Sequence, residues 1–165
     1  MQAPDRAGRV ERGFMIVAGA ALWGMLGVTF AEVVARSVFQ RSLGLSDEIG
    51  GYFLIALTFF SLPACHARKV FHQVEFILAR LTDRQRLRLE LAFDVACLAC
   101  TSVLVWQCAR LTGNTWQSGE TSQNGLDIPV WLPQSLMVIG LAGLVWALAR
   151  TFFAGLKALR AREFT

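Results

Sequence analysis

The chain has 165 residues, 55% of them hydrophobic and 17% charged, with a formal net charge of +4 and a mean hydropathy of +0.47. Soluble domains average about 45–50% apolar and about 25% charged residues, so this balance is shifted toward lipid. It excludes a disordered chain, a disulfide-stapled module and a coiled coil, and the length sets one domain over residues 1–165 as the expectation.

Four blocks carry no charge: Phe14–Ala31, Ile49–Ala64, Val95–Ala109 and Val130–Ala149. A helix needs roughly 17–25 mainly apolar residues to cross about 30 Å of hydrocarbon. With weakly polar flanks every block reaches that range. The expected fold class is therefore an all-α integral membrane protein with four transmembrane helices, over residues 14–34, 47–67, 89–111 and 129–150.

The first span follows a basic segment holding Arg6, Arg9 and Arg12, as a signal peptide would. It exceeds the usual apolar length of such peptides and runs on to Glu32 and Arg36, so it reads as an uncleaved anchor. Glu32 and Arg36 stand at i, i+4 spacing, within reach of Asp47 or Glu48. Small residues at Ala20, Gly24, Gly27 and Ala31, and at Gly140 and Gly143 in the last span, permit close helix approach within the chain or to a partner.

Ser46-Asp47-Glu48 reads as the start of the second span, with Ser46 as N-cap and two acids at the positive end of the helix dipole. Pro63 is expected to kink its far end. In the next connection Val70, Phe71, Val74, Ile77, Leu78 and Leu81 share one helical face. This segment is too short to cross a bilayer. It reads as an amphipathic helix, either on the cytoplasmic membrane surface or packed against another subunit.

Thr82-Asp83-Arg84-Gln85 fits a capping box that opens the third span. Residues 112–127 read as an outer loop, Pro129 as part of the first turn of the fourth span, and Trp106, Trp116 and Trp131 as an outer aromatic belt. Counting Lys and Arg on alternate sides of the spans gives thirteen against three, which places both termini in the cytoplasm. This bias accounts for the pI near 9.2 through an anionic lipid surface, without a nucleic-acid partner.

No catalytic motif stands out. Cys97 and Cys100 form a C-x-x-C pair, and a membrane thiol or quinone oxidoreductase is the alternative reading. Their place inside an apolar span favours inert packing residues instead. His66, His72 and Cys65 lack metal-ligand spacing, so neither metal nor cofactor is expected. Asp94 continues a polar stripe of Arg86, Glu90, Cys97 and Thr101. A proton relay needs a second polar helix face, which the other spans do not offer, so Asp94 reads as an interface group.

Several segments resemble the small membrane subunit, DctQ-type, of tripartite ATP-independent periplasmic (TRAP) transporters. They are Arg36-Ser37-Val38-Phe39, Ser46-Asp47-Glu48, the run from Ala67 through His72 to Glu75, and Leu126-Asp127-Ile128-Pro129-Val130-Trp131. The likeness covers roughly residues 13–155. It departs at Leu45, Gln73 and Glu75, where the family often has Trp, Ile and Asp.

The resemblance implies a non-catalytic subunit in the bacterial inner membrane. Its expected partners are a large multi-span elevator-type membrane subunit, a periplasmic solute-binding protein and membrane lipid. The complex would carry out sodium-coupled uptake of an organic acid, C4-dicarboxylate-like or another carboxylate. On that reading Glu32, Arg36, Asp47, Glu48, Arg68, His72, Glu75 and Asp94 are interface or positioning groups, and Val70–Leu81 braces the scaffold.

Overall fold

The computed structural model describes residues 9–40, 45–67, 83–122 and 127–163. It is built of four long helices: α1 (Arg9–Phe39), α2 (Leu45–Ala67), α3 (Asp83–Ser118) and α4 (Trp131–Glu163). All four are long and apolar enough to cross a membrane, over Val10–Val38, Asp47–His66, Leu91–Ser118 and Trp131–Lys157. The expected surface helix, Val70 to Leu81, lies outside the described residues, as do Arg68, His72 and Glu75.

The helix ends follow local chemistry. Asp47 and Glu48 occupy the first turn of α2, but the helix begins at Leu45, so Ser46 lies inside it rather than at the N-cap. Pro63 sits within α2, fully buried, and the helix continues past it to Ala67. α3 begins directly after Thr82, which is itself outside the described residues.

The largest departure from the sequence reading is at the far end of α3. Residues 112–118, expected in a loop, are helical. The Thr112 hydroxyl donates to the Cys108 carbonyl at 2.8 Å and the Thr115 hydroxyl to the Leu111 carbonyl at 3.0 Å, so these polar side chains are satisfied by their own helix. The stop is Gly119. Its φ of +65° is left-handed, and its N–H closes on the Thr115 carbonyl at 3.2 Å. The loop then folds into a short bridge between Thr121 and Pro129. Pro129 therefore precedes α4 instead of opening it, and its carbonyl accepts the Leu132 N–H at 3.1 Å. Pro133 takes the first-turn place, where a missing N–H costs nothing.

Close contacts fix the order of helices. α1 packs on α2, α2 on α4, and α4 on α3; among the described residues α3 has α4 as its substantial neighbour. A Cβ on Gly24 would lie 2.6 Å from the Phe53 ring. One on Gly140 would lie 2.6–2.7 Å from the Cβ and backbone of Phe59, and one on Gly143 would strike the Phe14 ring. Gly24, Gly140 and Gly143 thus serve packing within the chain. Gly27 meets nothing within 4 Å, and Ala20 and Ala31 are exposed.

At one end of the pair, Trp116 of α3 meets Trp131 of α4 edge-on with centroids 4.4 Å apart. At the other, a Cβ on Gly155 would touch Leu91 at 3.0 Å. The two helices therefore run side by side for about 37 Å of α3. Trp106 is ten residues, about 15 Å, from Trp116 along the axis, so it does not share a belt with the other two.

The core is made of small residues and rings. Ala18, Ala21, Ala56 and Phe60 are buried, with Phe14, Phe53, Leu57 and Leu136 packed against them. The outside is apolar: Trp23 is 76% exposed, Phe30 71% and Ile16 68%. In water such a surface would aggregate; in hydrocarbon it is solvated, and close packing of small residues holds the helices together.

Candidate functional site

α1 begins and α4 ends at one end of the bundle, and the connection that leaves α3 at Gly119 and enters α4 at Trp131 lies at the other, here called the distal end. Glu32 and Glu48 both reach the distal end, on the paired helices α1 and α2. Both are buried, at 8% and 5% exposure. Arg36 stands 3.7 Å from Glu32 Oε1, but its side chain is 70% exposed, so this ion pair contributes about 0–1 kcal/mol.

Glu48 is held differently. The Tyr52 hydroxyl donates to its Oε1 at 2.8 Å, and Tyr52 has Ser122 of the distal loop as a further hydrogen-bonding neighbour. Glu48 Oε2 is buried with no hydrogen-bond partner among the described residues. Asp47, one residue earlier, is exposed. A buried carboxylate is thereby coupled through Tyr52 to the distal loop, a link that residue spacing alone did not reveal.

α3 presents two opposite seams. Leu98, Thr101, Val105, Cys108, Thr112 and Thr115 recur at three- and four-residue spacing and are buried or half-buried, forming the seam toward α4. Asp94 falls on the same seam, half-buried. The expected polar stripe therefore splits. Thr101 is buried, with its hydroxyl bonded to the Cys97 carbonyl at 2.7 Å, while Cys97 itself is exposed. The side chains of Arg86 and Glu90 are outside the described set. Cys97 and Cys100 are both free and exposed, so they do not pack within the chain as expected.

The opposite seam holds Cys100, Val103, Gln107, Arg110, Asn114 and Gln117, all exposed. Arg110 lies within α3, six residues before Trp116. Its guanidinium carbon sits 5.2 Å over the Trp106 ring.

At the terminal end, Glu11 of α1 and Arg150 of α4 form a pair that residue spacing also missed. Arg150 Nη2 is 2.8 Å from Glu11 Oε1, and Nη1 donates to Oε2 at 3.3 Å. Glu11 is 1% exposed, whereas the Arg150 side chain is 45% exposed. Nearby, His66 Nε2 and the Thr151 hydroxyl lie 3.2 Å apart, joining α2 to α4. Among the described residues no three His, Cys, Asp or Glu side chains gather where a metal ion would sit.

A family model described as tripartite ATP-independent periplasmic transporters, DctQ component, matches residues 25–158, from within α1 to the last turns of α4. No curated relative and no solved structure matches the chain.

Proposed function

The chain belongs to the DctQ component family of tripartite ATP-independent periplasmic transporters, and from that membership we propose that it is a non-catalytic scaffold for the large, moving membrane subunit. The family makes it a small permease subunit and a multi-pass inner-membrane protein, in keeping with its four apolar helices. The observation that carries the scaffold reading is that the helices pack on one another through alanines, glycines and rings. Such contacts leave little freedom to slide, because interlocked close packing has few alternative arrangements.

In this reading the large subunit binds and moves the solute, an organic acid delivered by a periplasmic binding protein, and sodium drives the uptake. The excess of Lys and Arg toward the terminal end supports a topology with both termini in the cytoplasm and the distal loop in the periplasm. Glu32, Arg36, Asp47 and Glu48 then lie near the periplasmic face, where the binding protein docks. Arg68, His72, Glu75 and the Val70–Leu81 segment lie on the cytoplasmic side and brace the scaffold. Asp94 sits near that side as a positioning group. A wide stationary wall tilts less while a partner slides along it, so mechanical anchoring is work that needs no binding site of its own.

Affinity purification tests this reading. A tagged chain co-expressed with the large subunit of its transporter should retain that subunit through size exclusion in mild detergent. Consistent elution of the intact chain alone would overturn it. Nothing in the geometry favours thiol chemistry at Cys97 and Cys100, which are free and exposed in the described structure.

A further inference from the structure

We propose that the α3 seam carrying Gln107 and Arg110 is the face applied to the large membrane subunit, and that a carboxylate on a membrane helix of that subunit meets Arg110. This inference rests on the small-subunit reading and adds which helix makes the contact and by what chemistry.

Trp116 and Trp131 meet at the level where α4 begins and the loop leaves the helices. Arg110 is six residues further in and Gln107 nine, about 9 Å and about 13–14 Å along the axis. Side chains on a helix tilt toward its N-terminus, which for α3 is the end away from the distal loop. The Arg110 guanidinium follows that tilt and lies over Trp106, four residues deeper still. It therefore points away from the distal loop. The Trp106 ring attracts the cation but supplies no hydrogen-bond acceptor in the ring plane. Arg110 forms no ion pair among the described residues, and the Gln107 amide is exposed on the same side.

Charged groups at membrane depth face protein or a water-filled cavity, and pair there. The other outward faces differ. The exposed Thr29 of α1 is satisfied by the Met25 carbonyl at 2.9 Å, and the exposed Thr58 of α2 by the Leu54 carbonyl at 2.8 Å. Along its middle the outward face of α1 is Ile16, Trp23 and Phe30, which suit lipid, and its exposed Arg36 stands beside Glu32. Charge complementarity thus selects the α3 seam for protein contact. It specifies an acidic partner group, because a guanidinium matches a carboxylate with paired donors.

The test uses the co-expressed complex in native membranes, with Cys65, Cys97 and Cys108 replaced by serine so that Cys100, on the same seam, is the only thiol. A photoreactive maleimide on Cys100 should cross-link the large subunit. The same reagent on Ile16→Cys, with Cys100 also replaced, should label lipid only. Independently, Arg110→Ala should lower the amount of large subunit retained by about tenfold or more, with Arg110→Lys intermediate. Labelling of lipid alone from Cys100 in an assembled complex would overturn the proposal while leaving the subunit reading intact. So would full retention by Arg110→Ala. If Arg110→Ala fails to fold, the cross-link decides, since it keeps Arg110. If the unsubstituted chain retains no large subunit, the subunit reading itself fails.

Discussion

Arg150→Ala is expected to destabilise the folded chain by about 3–5 kcal/mol, because it strands a buried carboxylate. Glu11 is almost entirely enclosed, and the Arg150 guanidinium lies within 3.3 Å of both its oxygens. Removing the arginine leaves that charge without compensation, whereas Glu11→Ala leaves an arginine already half in contact with solvent. The loss should therefore be clearly smaller for Glu11→Ala. Replacing both residues by leucine should recover most of the stability, since apolar groups of similar volume satisfy the same space without desolvating charge. The unfolding midpoint in detergent, followed by tryptophan fluorescence, reads this order. Equal losses in the two single variants would show that the pair is not what closes α1 against α4.

The second large effect belongs to Gly140. A Cβ there meets the backbone carbon and oxygen of Phe59 at 2.7 Å. A side-chain tip can rotate away from such a clash, but a helix backbone cannot, so α2 and α4 must separate. Gly140→Ala should cost about 1–3 kcal/mol, and Gly140→Val more, as overpacking of a close contact does. Gly27→Ala, with open space around it, should leave the midpoint unchanged in the same assay. Gly143→Ala should fall between, because the atoms in the way are the far edge of the Phe14 ring. If Gly27→Ala proves as costly as Gly140→Ala, the helix order drawn from these contacts is wrong.

The contrast between Gly27 and Gly140 also marks the limit of what residue spacing discloses. Both lie among small residues in apolar spans, and both permit close approach. Only the register of neighbouring helices decides which one is used inside the chain. The four spans themselves were legible, because uncharged blocks of this length have few other uses. The end of α3 was misread because Thr112, Asn114, Thr115 and Ser118 look like loop composition. Gly119 was the better signal, since a glycine just past the last helical residue closes the final turn. Arg110 shows a related limit: counting basic residues by side treats each as a loop charge, although Arg110 lies within α3.

The acidic groups divide along the same line. Glu32, Asp47 and Glu48 stand out by position, and they lie toward the same end of the paired helices α1 and α2. The link from Glu48 through Tyr52 to Ser122 depends on how the distal loop folds back, which spacing alone does not reveal. Glu11 and Arg150 are 139 residues apart and look like ordinary flanking charges. Their pairing follows from α1 and α4 meeting at one end of the bundle, a tertiary fact.

Solute uptake into reconstituted vesicles tests the scaffold account most directly, with the chain alone, the large subunit alone and the two together, each supplied with loaded binding protein and an inward sodium gradient. The account predicts no accumulation by the chain alone and full uptake only when both membrane subunits are present. Sodium-driven accumulation by the chain alone would contradict it.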